Sequence, residues 1–71
     1  MRKYAKISGM TCEHCASRIE HALCEIDGIS DVHISIRKQM AVFDCDADVS
    51  NQEIIDVIES VGYVVKEVDW E

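Results

Sequence analysis

The sequence predicts an α+β fold: a four-stranded antiparallel sheet with two helices on one face, in the order β-α-β-β-α-β. Three observations predict it. Four short runs alternate apolar and polar residues, two longer runs repeat apolar residues at helical spacing, and no linker or low-complexity stretch separates them. A chain of 71 residues has room for one domain, residues 1–71, with a modest core. Hydrophobic residues make up 48 % and Pro is absent, a composition unlike that of a disordered chain.

The first strand is read over residues 2–8, with Ala5 and Ile7 on one face and Tyr4, Lys6 and Ser8 on the other. The first helix follows from about Cys12 to Ile26. At about 100° per residue, Cys12, Cys15, Ala16, Ile19, Ala22, Leu23 and Ile26 share one stripe. Thr11 is placed as its N-cap and Gly28 as its stop. The second strand, residues 31–37, sets Val32, Ile34 and Ile36 against Asp31, His33, Ser35 and Arg37. A hairpin around Arg37-Lys38-Gln39 leads to the third strand, residues 40–45, with Ala41, Phe43 and Cys45 on one face. The second helix runs from about Asn51 to Val61. Ser50 and Glu53 form a capping box, Ile54, Val57, Ile58 and Val61 the buried stripe, and Gly62 follows its end. The last strand is read over residues 63–68. One-sided alternation means one covered and one wet sheet face, and this element order is the ferredoxin-like arrangement.

Charge narrows the function classes. Residues 1–43 carry six Lys/Arg against five Asp/Glu, whereas residues 44–71 carry Lys66 alone against nine Asp/Glu. The net charge of −7 argues against nucleic acid and against direct binding to an anionic membrane surface. It suits either a basic protein partner or plain solubility. No apolar run approaches the ~20 residues that span a bilayer, and the first residues lack the apolar core of a secretory signal. The expectation is a cytoplasmic chain whose four cysteines, Cys12, Cys15, Cys24 and Cys45, are free thiols.

The stretch Gly9-Met10-Thr11-Cys12-Glu13-His14-Cys15 carries the chemistry. Cys12 and Cys15 fall at the first turn of the first helix, on the same side. Backbone N–H groups are unsatisfied there, and the helix dipole favours negative charge. Thiol pKa values fall in such positions. Thiolate sulfur is soft and selects Cu(I), Zn(II) or similar ions over Mg(II) and Ca(II). Two thiolates suit a low-coordinate ion such as Cu(I), while a structural zinc site closes with four ligands. Cys24 lies about 13 Å further along the helix at about 1.5 Å per residue. Cys45 sits on the core phase of the third strand, and no second CxxC pair exists. Isolated, a CxxC pair is a weak signal; the strand–helix junction in this frame strengthens it.

The segments GMTCEHC, ASRIEHAL, GISDVHISI and VIESVGYVV resemble the heavy-metal-associated domain family over roughly residues 3–68. That family includes small copper chaperones, soluble domains of copper-transporting P-type ATPases and the mercury-binding protein of mercury resistance. The resemblance implies that residues 1–71 are one such domain and that Cys12 and Cys15 bind the metal. It further implies that the chain is no enzyme but a copper(I) chaperone. Such a chaperone passes its ion by thiolate exchange to the metal-binding domain of a copper-transporting ATPase. It implies a monomer without metal, with a metal-bridged dimer as the alternative when loaded. The other readings are an N-terminal domain of such an ATPase, a carrier of Hg(II) or Zn(II), and a thiol oxidoreductase. Longer oxidoreductases of the thioredoxin type set a cis-proline opposite the pair; this chain has no Pro.

Three neighbours of the pair remain. By resemblance, Met10 packs inward and holds the loop, a role its adaptable side chain suits. His14 is either an exposed bystander, a group that tunes the thiolates, or a third ligand in a metal-bridged dimer. Tyr63 lies beside the metal loop by resemblance. It either donates its hydroxyl toward a cysteine sulfur and shields the site, or serves as a core aromatic. Cys45 is expected as a small buried hydrophobe and Cys24 as a partly exposed thiol at the edge of the helix stripe.

Overall fold

The computed structural model describes residues 1–71 and holds six elements: β1 (Arg2–Ser8), α1 (Glu13–Cys24), β2 (Ile29–Ser35), β3 (Met40–Cys45), α2 (Asn51–Ser60) and β4 (Val64–Trp70). The strands form one antiparallel sheet in the order β2-β3-β1-β4. The expected β-α-β-β-α-β order and ferredoxin-like frame are therefore present. Ala5 and Ile7 of β1, Ala41, Phe43 and Cys45 of β3, and Ile29 of β2 meet Ile19 and Leu23 of α1 and Ile54 and Ile58 of α2 in the core. No helix is long and apolar enough to cross a membrane.

Two strand boundaries differ from expectation for the same reason. Ser30 pairs with Asp44 and His33 with Val42, so Asp31 and Val32 together face one residue of β3. Asp31 takes a left-handed φ of 53° in this bulge. The bulge flips the phase of the strand, so that Ile29 and Val32, an odd distance apart, both turn to the core. Strict alternation stops at residue 31, and β2 is accordingly found two residues earlier than read. In β4, Ile7 pairs with Val65 but Lys6 with Glu67, which leaves Lys66 extra. Val65 and Val68 thereby share the core side. The strand runs on to Trp70, which pairs with Lys3.

The helix ends also need correction. Cys12, not Thr11, is the N-cap of α1, with extended φ and ψ of −158° and 174°. Cys12 consequently stands ahead of the helical stripe and is exposed, while Cys15 and Ala16 are half-buried and Ile19, Ala22 and Leu23 buried. The helix ends at Cys24, and Ile26 is buried from the following turn. α2 begins as read: Ser50 accepts from the Glu53 N–H at 3.2 Å. Val61 is its C-cap, and Gly62 follows with a φ of 99°, in the left-handed region that ends helices.

Candidate metal site

Four elements converge at one end of the sheet. β1 stops at Ser8, and Gly9 turns the chain with a φ of 97°, a conformation an L side chain resists. Met10 then plunges into the core at 3 % exposure. Thr11 and Cys12 surface again, and α1 begins. The Cys12 carbonyl accepts the N–H groups of Cys15 and Ala16 at 3.1 and 3.3 Å, whereas its side chain makes no capping bond. A Ser or Asp here would spend its side chain on the helix end. The cysteine keeps its sulfur for other chemistry.

The Cys12 and Cys15 sulfurs stand 3.8 Å apart, far beyond the ~2.05 Å of a disulfide. Both thiols are free. The Cys15 thiol is lowered from 9.0 to about 6, first by the hydroxyl of Tyr63, then by the backbone of Thr11; the Thr11 hydroxyl and Cys12 add to it, and burial opposes it. Thr11 Oγ1 lies 3.9 Å from the Cys15 sulfur. The Tyr63 phenol is pushed up in return, chiefly because its proton is held toward that sulfur. Cys15 is thus largely thiolate at neutral pH, while Cys12 is the exposed partner.

These positions locate each neighbour. Tyr63 is half-buried, and its Cδ1 lies 3.7 Å from the place a Cβ on Gly9 would occupy, so the ring covers the loop. His14 is exposed and lines a groove between α1 and α2 with Arg18, His21 and Val57. The groups that lower the Cys15 thiol are Tyr63, Thr11 and Cys12. Cys24 is exposed at the far end of α1. Cys45 is 2 % exposed, and burial pushes its thiol up. No third His, Cys, Asp or Glu joins Cys12 and Cys15 in a cluster. The donor set is two soft sulfurs, one of them ionised, which fits a thiophilic ion of low coordination number.

One residue at this end was missed. Gln39, the last residue of the β2–β3 turn, accepts from the Met10 N–H through Oε1 at 3.1 Å and donates through Nε2 to the Met10 carbonyl at 2.6 Å. A glutamine in a predicted hairpin is an unremarked polar residue in sequence. Its φ of 54°, where Gly or Asn is the usual occupant, is visible only in the structure.

A pH dependence follows from the Cys15 shift. Its lowered thiol pKa favours the folded state above the thiol's ordinary value of 9.0, and the benefit fades as pH falls through about 6. Alkylation of Cys15 by iodoacetamide in the apo protein should rise with an inflection near 6 in wild type. In Tyr63→Phe it should rise at higher pH, because the largest stabiliser of the thiolate is gone. Peptide mapping of the alkylated protein checks this, and superimposable profiles would remove Tyr63 from the site.

A model of the heavy-metal-associated domain matches residues 5–64. Copper chaperone CopZ from Bacillus subtilis (strain 168) is 38 % identical over 65 residues, which cover 90 % of this chain and 94 % of that protein. Among solved structures, a CopZ metallochaperone superposes with a TM-score of 0.87 at 30 % identity, covering 93 % of this chain and 100 % of the other. The N-terminal domain of a potential copper-translocating P-type ATPase from Bacillus subtilis, in the Cu(I)-loaded state, superposes with a TM-score of 0.84 at 26 % identity, covering 92 % of this chain and 82 % of the other.

Proposed function

The chain belongs to the heavy-metal-associated domain family, and from that premise we propose that it is a copper(I) chaperone, acting as a single domain in the cytoplasm. It binds Cu(I) between Cys12 and Cys15 and delivers it to the metal-binding domain of a copper-transporting P-type ATPase. The observation that carries this reading is the sulfur pair 3.8 Å apart at an exposed helix start, with no third protein ligand in the cluster. Two sulfurs hold the ion, and its open side admits a partner's thiolate. That thiolate bonds to the copper before a bond from this chain breaks. Cys12, the exposed member, is the sulfur a partner reaches; Cys15, half-buried beneath Tyr63, is the one that lets go last. Each exchange replaces one copper–sulfur bond by another, so copper stays Cu(I) and no substrate bond is made or broken. The chain therefore acts as a carrier and not as an enzyme.

The likeness to the ATPase N-terminal domain favours a second reading, in which this fold works as one module of a transporter. The site chemistry is the same in both. They part on whether copper leaves the chain for a separate protein.

Transfer is tested directly by mixing the copper-loaded chain with the N-terminal domain of a copper ATPase. Asp56 and Glu59 lie exposed on α2, which ends beside the metal loop at Gly62-Tyr63. A basic partner surface would be drawn to them. Such charges speed encounter more than they tighten the final complex, and salt screens them. Reversing both, Asp56→Lys with Glu59→Lys, should slow transfer in low salt and leave the chaperone's own copper affinity unchanged. Equal rates in low salt would make this acidic face plain solvated surface. No transfer by wild type would overturn the chaperone reading.

A further inference from the structure

We propose that the Gln39 side chain is the positioning residue that fixes the metal loop, acting as a substitute strand at the point where the sheet runs out. The inference rests on the metal-site reading above and deepens it. The backbone pairing of β1 with β3 reaches Lys6 opposite Met40, and the Ile7 N–H still finds the Gln39 carbonyl at 2.9 Å. Beyond that the β2–β3 turn carries the chain away, and no main-chain group is left to pair with Met10. The Gln39 side-chain amide fills the gap. It offers what a peptide group offers: Oε1 receives the Met10 N–H at 3.1 Å and Nε2 donates to the Met10 carbonyl at 2.6 Å.

The second amide hydrogen is spent too. Nε2 donates to the Ile36 carbonyl at 2.6 Å, which ties the same amide back to its own turn. The orientation of the amide is thereby fixed. Flipped, it would point NH2 at the Met10 N–H and oxygen at two carbonyls. The backbone contributes as well: the Gln39 N–H bonds to the Ile36 carbonyl at 3.2 Å, and the left-handed φ of 54° directs the residue out of the turn.

Met10 is consequently held twice, by its buried side chain and by both polar groups of its backbone. It stands two residues before Cys12. On the other side, Cys15 is inside α1. Only Thr11 and Cys12 lie between Met10 and the start of α1 at Glu13, and both are exposed. The sulfur spacing is set by how rigidly these ends are held. A loop already in its binding geometry loses less conformational freedom when the ion arrives. Gln39 thus favours capture of the metal while leaving Cys12 free to exchange.

Two variants separate positioning from bulk. Gln39→Met keeps the length and the backbone but removes every side-chain hydrogen bond. Gln39→Glu keeps the shape and one acceptor, but sets a carboxylate oxygen against the Met10 and Ile36 carbonyls. The first readout is amide hydrogen exchange of Met10 in the apo protein, which needs no metal. Wild type should show protection at Met10, and Gln39→Met, which has no acceptor for the Met10 N–H, should lose about tenfold or more of it. The second is Cu(I) affinity by competition with a chelator under anaerobic conditions. It should fall about tenfold in both variants, in protein that urea titration shows to be folded. An unprotected Met10 N–H in wild type overturns the proposal even if neither variant folds. So does a copper affinity in folded Gln39→Met equal to wild type. A failed metal-site reading looks different: wild type itself would bind no copper, with Met10 still protected.

Discussion

Replacing either Cys12 or Cys15 by Ser is expected to lower Cu(I) affinity by orders of magnitude. The two sulfurs stand 3.8 Å apart, and no third His, Cys, Asp or Glu joins them in a cluster. A serine hydroxyl is a hard donor and stays protonated near neutral pH, so it replaces neither the softness nor the charge of a thiolate. The two losses should differ in kind. Cys15 carries the lowered pKa under Tyr63, so Cys15→Ser removes the thiolate already present at neutral pH. Cys12→Ser removes the exposed sulfur that the proposed transfer uses and should also halt transfer of any copper still bound. Cys24→Ser and Cys45→Ser should leave affinity unchanged, since one lies at the far end of α1 and the other is buried on β3. Affinity should fall on acidification in wild type, because the metal competes with protons for sulfur. Chelator competition with wild type across pH and with the four single variants measures the affinities, and mixing with the ATPase domain measures transfer.

Phe43→Ala is expected to produce the largest loss of stability. Phe43 is 0 % exposed in the middle of the sheet, where it is the largest fully buried side chain. Removing a buried Phe costs about 3–5 kcal/mol, from lost transfer energy and from the cavity left behind. Domains this small rarely hold a large reserve. With a urea slope of about 1 kcal/mol/M, the midpoint should drop by about 3 M or the protein should be unfolded without denaturant. Val57→Ala, at a half-buried position on α2, is the control and should cost less. A Phe43→Ala midpoint within about 1 M of wild type would mean that the core is not organised around this ring.

Much of this architecture is legible in the sequence because its signals are local. β1 and β3 alternate without interruption and appear over the residues expected, 2–8 and 40–45. The Ser50–Glu53 box marks the start of α2, and the Cys12–Cys15 spacing marks the thiol pair. What is hidden depends on pairing across the sheet. The bulges at Asp31 and Lys66 shift the phase of β2 and β4, and each depends on its neighbour strand for its register. Lys3 shows the same limit. Its phase points it inward with Ala5 and Ile7, and it is 3 % exposed. A lysine is rarely found there, but its ammonium donates to Asn51 Oδ1 and sits 4.3 Å over the Trp70 ring. Those partners come from α2 and β4, far away in sequence. At the site, the family resemblance alone points to Tyr63 beside the Cys15 thiol it lowers, and nothing in the sequence points to Gln39, which chain topology brings to Met10. Cys12 as N-cap is a subtler case, since the helix begins one residue later than a Thr11 cap implies.

The central claim is that Cys12 and Cys15 alone hold one copper(I) ion, and anaerobic Cu(I) titration followed by X-ray absorption at the copper edge tests it most directly. Saturation at one copper per chain is expected, with two sulfur neighbours at low loading, in wild type and in the Cys24→Ser, Cys45→Ser double variant alike. Parallel titrations with Hg(II) and Zn(II) rank the competing cargoes, and copper should retain its site against zinc. Copper surrounded only by nitrogen or oxygen, or binding lost in folded Cys24→Ser, Cys45→Ser protein, would contradict the account.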